Sequence, residues 1–309
     1  MFIKRIFKIK YYYLVVWKAL IVIPIMLSFI QISSASEPLK VYAVNYPLKY
    51  FAGRIGGENV RAVFPAPQDV DPAYWKPDIA TIGAYQKADL ILLNGAGYAG
   101  WINKVSLPRS KLVDTSKNFQ YRIITIKGTV THSHGPGGAH AHEGAAFTTW
   151  LDLDLATLQA RAIAKAFIRR KPDLRNIFER NFTALEKDLA TLSRDIESTV
   201  SKDPSKPFVA SHPVYDYFSR RYGLNIQSVH WEPDENPDDR QWAELNTILK
   251  EHPAKWMIWE GKPGSIPVKK LKTFGIDSLV FDPCGNAPGQ GDFFSVMRRN
   301  VENLKPAFE

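Results

Sequence analysis

Three side chains that can bind a metal ion each come directly after a short apolar segment of strand length: His212, Glu260 and Asp282. In open α/β sheets, ligands bind beyond the carboxyl ends of the strands, where residues from several strands can meet. An imidazole and two carboxylates on one rim suit a divalent transition metal such as zinc or manganese. The alternative is that each residue is a cap or a partner in a surface ion pair, because structural ion pairs are common. The residue types alone leave both interpretations open.

A second group of possible ligands is a histidine cluster. Four of the seven histidines fall within eleven residues, at His132, His134, His140 and His142. Glycine and proline lie between them, and such a tract cannot build a core, so it predicts a mobile, metal-binding loop over residues 131–143. The alternative is a polar surface loop with chance histidines, but clustering this tight in an exported protein favours metal binding.

A glycine-rich segment suggests a different chemistry. Gly95, Gly97 and Gly100 match the dinucleotide-binding pattern G-x-G-x-x-G after an apolar segment, and Asp114 lies close to where a ribose-binding acid is expected. The alternative is therefore an exported nicotinamide-dependent oxidoreductase that uses residues 95–100. The spacing counts against it, because only seven residues separate Gly100 from Pro108, too few for the helix that would hold pyrophosphate.

The composition excludes several classes of protein. The 309 residues are 45% hydrophobic and 23% charged, as in an ordinary globular protein, so disordered, collagen-like and coiled-coil chains are excluded. A single cysteine, Cys284, excludes a disulfide scaffold and thiolate zinc fingers, which need at least two. We expect Cys284 to be a small buried hydrophobic residue.

Residues 1–35 have the parts of a secretory signal peptide in the usual order. Five basic residues and no acid lie in residues 1–18, an apolar run follows at 19–30, and small residues lead to Ala35. An uncleaved membrane anchor is disfavoured because Lys18 interrupts the longer apolar stretch. Cleavage after Ala35 predicts a periplasmic protein. It removes five positive charges from a formal net charge of +9 and leaves +4, so charge does not support nucleic-acid binding.

Apolar segments of strand length alternate with helix-like segments in two separate parts of the chain. The predicted strands lie at residues 39–44, 60–64, 88–93 and 111–113, and then at 208–211, 226–231, 256–259 and 278–281. Such alternation predicts parallel sheets covered on both sides. Between the two parts, apolar residues at three- and four-residue steps from Leu174 to Val200 predict one helix over residues 173–201.

The predicted fold class is therefore α/β, with two lobes of parallel sheet flanked by helices and joined by one long rigid helix. Residues 1–35 are the signal peptide, and residues 36–171 form the N-terminal lobe, which includes the histidine-rich loop. The linking helix covers residues 172–203, and the C-terminal lobe covers residues 204–309.

Short motifs run in a fixed order through the mature chain: Asp71-Pro72, Ala88-Asp89-Leu90, Asn94-Gly95, Trp101, Trp150-Leu151-Asp152, His212, Tyr222-Gly223-Leu224, Glu235-Asn236-Pro237, Glu260 and Asp282-Pro283. With these landmarks, the chain from about Lys40 to Leu304 resembles the zinc- and manganese-binding solute receptors of bacterial ABC importers. The resemblance implies a metal held between two α/β lobes and delivered in the periplasm to a membrane permease, without catalysis. It also accounts for the histidine-rich loop, because zinc receptors of this kind often carry such a loop.

The resemblance further implies a metal held by three histidines and a carboxylate. His212 matches the third histidine, and Asp282 matches the carboxylate. Glu260 matches an acid near the site that supports the ligands without binding the metal itself. Ala73 and Thr148 stand where the first two histidines are expected, so the N-terminal lobe offers no obvious donor.

We therefore expect the periplasmic binding component of an ABC importer for a divalent metal, zinc above all, working as a monomer with a permease. Three accounts of the altered site are open. In the first, the loop histidines His132, His134, His140 and His142 act as auxiliary donors that complete a site with His212 and Asp282. In the second, the metal arrives with its own chelating ligands. In the third, the chain is a degenerate member of the family that acts as a metal buffer or binds another solute.

Overall fold

The computed structural model describes residues 37–68, 70–133 and 139–309. The predicted signal peptide and His134 lie outside these residues. Pro38–Glu309 forms one compact unit. None of the helices in the described residues has the length and apolar character that a bilayer crossing requires.

The first parallel sheet is built from the first four strands of the chain. Its strands and flanking helices are β1 Leu39–Ala43, α1 Tyr46–Gly56, β2 Val60–Val63, α2 Ile79–Lys87, β3 Leu90–Leu93 and β4 Leu112–Asp114. The strand order is β2-β1-β3-β4, and every neighbouring pair is parallel. The Asn45 side chain caps α1 by accepting a hydrogen bond from the Leu48 amide, which starts the helix directly after β1.

The second parallel sheet follows the linking helix. Its elements are β7 Pro207–Ala210, α5 Asp216–Tyr222, β8 Asn225–Ser228, α6 Asp239–Glu251, β9 Trp256–Trp259, α7 Ser265–Thr273, β10 Asp277–Val280 and α8 Phe293–Phe308. The strand order is β10-β9-β7-β8, again with parallel neighbours. The two sheets and their helices confirm the predicted α/β fold class.

One long helix joins the two sheets. A short 3-10 turn at Pro172–Leu174 leads into α4 at Arg175–Val200, whose 26 residues span about 39 Å. The predicted apolar stripe from Phe178 to Val200 is buried along this helix. It packs on α1 and on helix α3, Leu153–Arg170, from the first half of the molecule, and on α8 from the second.

The chain between the first sheet and α3 differs from the predicted loop. It forms an antiparallel hairpin of β5, Thr125–Ser133, and β6, Ala139–Ala145. Residues 131–133 and 139–141, within the predicted loop, are therefore extended and paired on their backbones, and His142 pairs with Val130. The β-branched residues of β5, including Thr129, Val130 and Thr131, favour the strand over an irregular loop.

Candidate functional site

The carboxyl edge of the second sheet brings together two of the residues that the sequence singles out. His212 lies two residues beyond β7, and Glu260 directly follows β9, the neighbouring strand. The Ser211 amide donates to the Ile258 carbonyl at 2.8 Å, which fixes the end of β7 against β9. The structure therefore brings the side chains of His212 and Glu260 together at this edge.

A third residue completes a cluster at this edge. Nδ1 of His212 lies 3.2 Å from Oε1 of Glu232 and 3.7 Å from Oε1 of Glu260. One possible ligand atom from each of the three residues lies within 4.8 Å of the others. The side chain of His212 is 4% exposed, and those of Glu232 and Glu260 are 20% and 24% exposed. An imidazole and two partly buried carboxylates can thus share one cation.

Glu232 is the residue that the sequence reasoning missed. It comes directly after the predicted strand at residues 226–231, so the rule that identified His212 and Glu260 also points to it. In the structure β8 ends at Ser228, but backbone pairing continues, because the Trp231 amide donates to the Ser211 carbonyl at 2.7 Å. The ring of His230 lies 5.9 Å from that of His212, centroid to centroid, in the same segment.

Acids from both halves of the molecule surround His212. Burial disfavours its imidazolium form, but the hydrogen bond to Glu232 and the charges of Glu260, Glu232 and Asp71 outweigh burial and raise the pKa of His212. Burial and the charges of Asp71, Glu260 and Glu232 likewise raise the pKa of the Tyr74 phenol. Asp71 and Tyr74 belong to the N-terminal lobe, so a further acid acts on the cluster from across the cleft, the space between the two lobes.

Asp282, which the family resemblance gives as a carboxylate ligand, lies outside the cluster of His212, Glu232 and Glu260. It follows β10, two strands away from β7 in the sheet, and two strand spacings are about 9.6 Å. Its Oδ1 accepts a hydrogen bond from the Cys284 amide at 2.7 Å, and its own amide and carbonyl bond to the Asn300 side chain. Burial raises the pKa of the Asp282 carboxyl. The carboxylate therefore stabilises the turn after the edge strand.

The two positions where the family resemblance expects histidines contribute to packing and to backbone contacts. Ala73 is 6% exposed, and its amide donates to Oδ1 of Asp71 at 2.8 Å. Oγ1 of Thr148 donates to the Val214 carbonyl at 2.6 Å, across to the segment that follows His212. Position 148 thus contributes a direct hydrogen bond across the cleft.

The backbone register of the hairpin groups three histidine positions. His132 pairs with His140, and Val130 pairs with His142. Residues two apart in a strand share a face, so positions 132, 140 and 142 lie on one face of the hairpin. His134 lies outside the described residues.

The glycine-rich segment does not form a dinucleotide-binding turn. Gly95 and Gly97 each have φ of +76°, and the next helical element is a five-residue 3-10 helix at Gly100–Lys104. A Cβ at position 95 would lie 1.9 Å from Oγ of Ser116, so the close approach of Ser116 requires this glycine. The segment offers no α-helix N-terminus for a pyrophosphate.

The fold and the edge site define the class of this chain as a two-lobed α/β binding protein. A sequence model of the family described as "Zinc-uptake complex component A periplasmic" matches residues 41–307. The chain belongs to this family, whose members bind solutes and are not enzymes. The interpretation as a nicotinamide-dependent oxidoreductase is therefore wrong.

The names of individual relatives agree with this family assignment. The high-affinity zinc uptake system protein ZnuA of Bacillus subtilis is 25% identical over 281 residues, which cover 88% of each protein. The manganese ABC transporter substrate-binding lipoprotein PsaA of Streptococcus pneumoniae is 24% identical over 288 residues, covering 88% of this chain and 89% of that one. The chain spans only 56% of the zinc-binding lipoprotein AdcA of the same species, at 22% identity.

Solved structures support the fold. The metal-dependent lipoprotein YcdH from Bacillus subtilis superposes with a TM-score of 0.73 at 22% identity, covering 87% of this chain and 98% of that one. A mutant of FpvC from Pseudomonas aeruginosa superposes with a TM-score of 0.71 at 20% identity, covering 87% and 99%.

Proposed function

We propose that this protein is the extracytoplasmic substrate-binding component of an ABC importer for a divalent metal ion, with zinc as the first candidate. Its export uses residues 1–35 as a cleaved signal peptide, and it delivers the metal as a monomer to a membrane permease. Family membership supports the class. The observation that carries the assignment to metal is the buried imidazole of His212 beside Glu260 at the carboxyl edge of the second sheet.

The chemistry of this edge favours a divalent cation over an organic solute. Imidazole and carboxylate are the side chains that bind zinc and manganese in proteins. Asp71 adds negative charge from the N-terminal side, as its effect on the pKa of His212 indicates. Partly buried like charges repel one another, and a bound divalent cation relieves that repulsion.

The histidine-rich hairpin supplies auxiliary donors in this proposal. Positions 132, 140 and 142 share one face of the hairpin, and His134 lies between the strands in sequence. Imidazoles in such an arrangement collect metal with lower affinity than the cleft site and raise its local concentration.

Calorimetric titration of the metal-free exported protein with Zn²⁺ and Mn²⁺ tests the proposal. The comparison variant carries Gln at His132, His134, His140 and His142, which keeps the hairpin backbone. We expect one tight site that survives these substitutions and weaker additional binding that disappears. Absence of any tight site in the wild-type protein contradicts the proposal.

A second candidate function is a metal buffer, and the residues at positions 73 and 148 favour it. Alanine provides no ligand, and the Thr148 hydroxyl already donates to Val214. Weak binding of several ions, all lost with the hairpin histidines, would support the buffer. Binding of a chelated metal but not of the free ion would instead indicate a solute that brings its own ligands.

A further inference from the structure

We propose that Glu232 is a direct ligand of the metal ion, a third donor from the C-terminal lobe beside His212 and Glu260. The inference rests on the proposed metal-binding function and extends it. Glu232 lies outside the ligand positions that the family resemblance identifies. Its assignment comes from the arrangement of three loops at the edge of the second sheet.

The distances suit coordination. Ligand atoms about 2.0–2.2 Å from a tetrahedral zinc ion are separated from one another by about 3.4 Å. The His212 nitrogen lies 3.2 Å from the Glu232 oxygen and 3.7 Å from the Glu260 oxygen. A metal ion can therefore reach all three with small rotations of the side chains.

The number of donors also requires a third residue. Zinc sites use three or four protein ligands, and His212 with Glu260 supplies only two. Ala73 and Thr148 contribute none from the opposite lobe. Glu232 brings the donors from the C-terminal lobe to the minimum of three.

The charge of the cluster also suits a cation. Glu232 and Glu260 are both partly buried beside His212. Two carboxylates and one imidazole carry a net negative charge even when the imidazole is protonated. A divalent cation between the three side chains would be attracted by both carboxylates.

The backbone holds Glu232 in position before any metal binds. On one side, the Trp231 amide donates to the Ser211 carbonyl, next to His212. On the other side, the Pro233 carbonyl accepts from the Gly264 amide at 2.9 Å, in the loop that follows Glu260. Glu232 is thus tied to both loops that carry its partners, and ligands fixed in this way lose little entropy on binding.

The competing role for Glu232 is to orient His212 through a hydrogen bond to Nδ1 without touching the metal. Outer partners of this kind change metal affinity by about 10–100-fold when they are removed. Affinity alone does not separate the two roles. The visible absorption of bound Co²⁺ does, because its intensity and band positions respond to the atoms that coordinate the ion.

The test compares Glu232→Gln and Glu232→Ala with Glu235→Gln, a matched control because Glu235 is an exposed glutamate in the same loop. Zn²⁺ affinity, the Co²⁺ spectrum and the thermal midpoint of the metal-free protein are measured for each. We expect both changes at position 232 to weaken Zn²⁺ binding by at least about 10-fold, which either role would cause. We also expect them to alter the Co²⁺ spectrum, while Glu235→Gln leaves both unchanged.

The outcomes distinguish this inference from the proposed function. A Co²⁺ spectrum that stays the same in Glu232→Gln and Glu232→Ala overturns the ligand role, whatever the affinity. Tight binding by the wild-type protein would then still support the importer function. If the wild-type protein binds neither Zn²⁺ nor Co²⁺, the proposed function itself fails.

Discussion

At position 212 a nearly buried imidazole faces the carboxylates of Glu232 and Glu260, and its removal takes one donor from the proposed metal site. His212→Ala should weaken Zn²⁺ binding at the tight site by more than about 100-fold, a larger loss than removal of an outer partner causes. The measurement is a competition titration against a fluorescent zinc chelator. The controls are single His→Gln changes at positions 132, 140 and 142, each of which should leave the tight site unchanged. Equal Zn²⁺ affinities of the wild type and His212→Ala would contradict a metal site at His212.

Cys284 provides a test of packing close to Asp282. The residue is 1% exposed, and burial is the main cause of a raised pKa of its thiol. A buried neutral thiol is a poor nucleophile, because the thiolate is the reactive form. We expect no reaction with a thiol reagent at pH 8 in the native protein and one equivalent of reaction after unfolding in guanidinium. Rapid modification of the folded protein would show that the turn after β10 opens.

Some features of the site can be predicted from the sequence and others cannot. His212 and Glu260 were predicted because each follows a strand closely, and the geometry of a parallel sheet brings such residues together. Asp282 follows the same rule, but its strand lies at the edge of the sheet, and strand order is a long-range property that local patterns do not contain. Glu232 satisfies the same rule, because it directly follows the predicted strand at residues 226–231, so its position in the sequence contained the signal that the structure reveals.

Among the elements, the segment around Thr148 connects the two halves of the cleft directly. Thr148→Val removes the hydroxyl that donates to Val214 while keeping the side-chain shape, and it leaves a partly buried carbonyl without that donor. We expect a loss of about 1–3 kcal/mol in the free energy of unfolding, measured by urea denaturation. Thr183→Val, at an exposed helical position where the hydroxyl bonds within its own helix, is the control and should change stability little. Equal stabilities would mean that the contact across the cleft contributes nothing.

The linking helix α4 should depend on its buried stripe. Leu189 is fully buried at its centre, so Leu189→Ala should lower the free energy of unfolding by about 2–5 kcal/mol through lost burial and the cavity it leaves. Lys187→Ala, at an exposed position of the same helix, should stay within about 0.5 kcal/mol of the wild type. A small effect of Leu189→Ala would mean that the helix repacks around the gap.

The elements differ in how far the sequence predicts them. The strands of both sheets and α4 were predicted because their apolar patterns are strong and continuous. The sequence does not predict helix α3, because its buried face includes Ala156, Ala160, Ala164 and the polar Gln159, which weaken the apolar period. The one local indication of this helix is Asp152, a residue type that favours the N-cap position. In the structure its side chain accepts hydrogen bonds from two backbone amides of the first turn.

On the scale of the whole molecule, several hydrogen bonds cross the cleft without a metal. Nδ2 of Asn286 donates to the carbonyls of Pro67 and Val70, and Nε1 of Trp150 donates to the Pro283 carbonyl at 2.7 Å. The proposed ligands, by contrast, all belong to the C-terminal lobe. We therefore expect small-angle X-ray scattering curves of the metal-free and zinc-loaded protein to coincide. A compaction on adding zinc would show that metal, and not these contacts, closes the cleft.

The placement of all three proposed ligands on one lobe has a thermodynamic consequence. A ligand shifts a conformational equilibrium only by the difference between its affinities for the two states. If the donors stay together whether the lobes are open or closed, the coupling free energy between metal occupancy and lobe position is small. A permease that distinguishes the loaded from the empty receptor would then depend on the negative charge lost at the cluster of His212, Glu232 and Glu260. That discrimination would weaken as ionic strength rises.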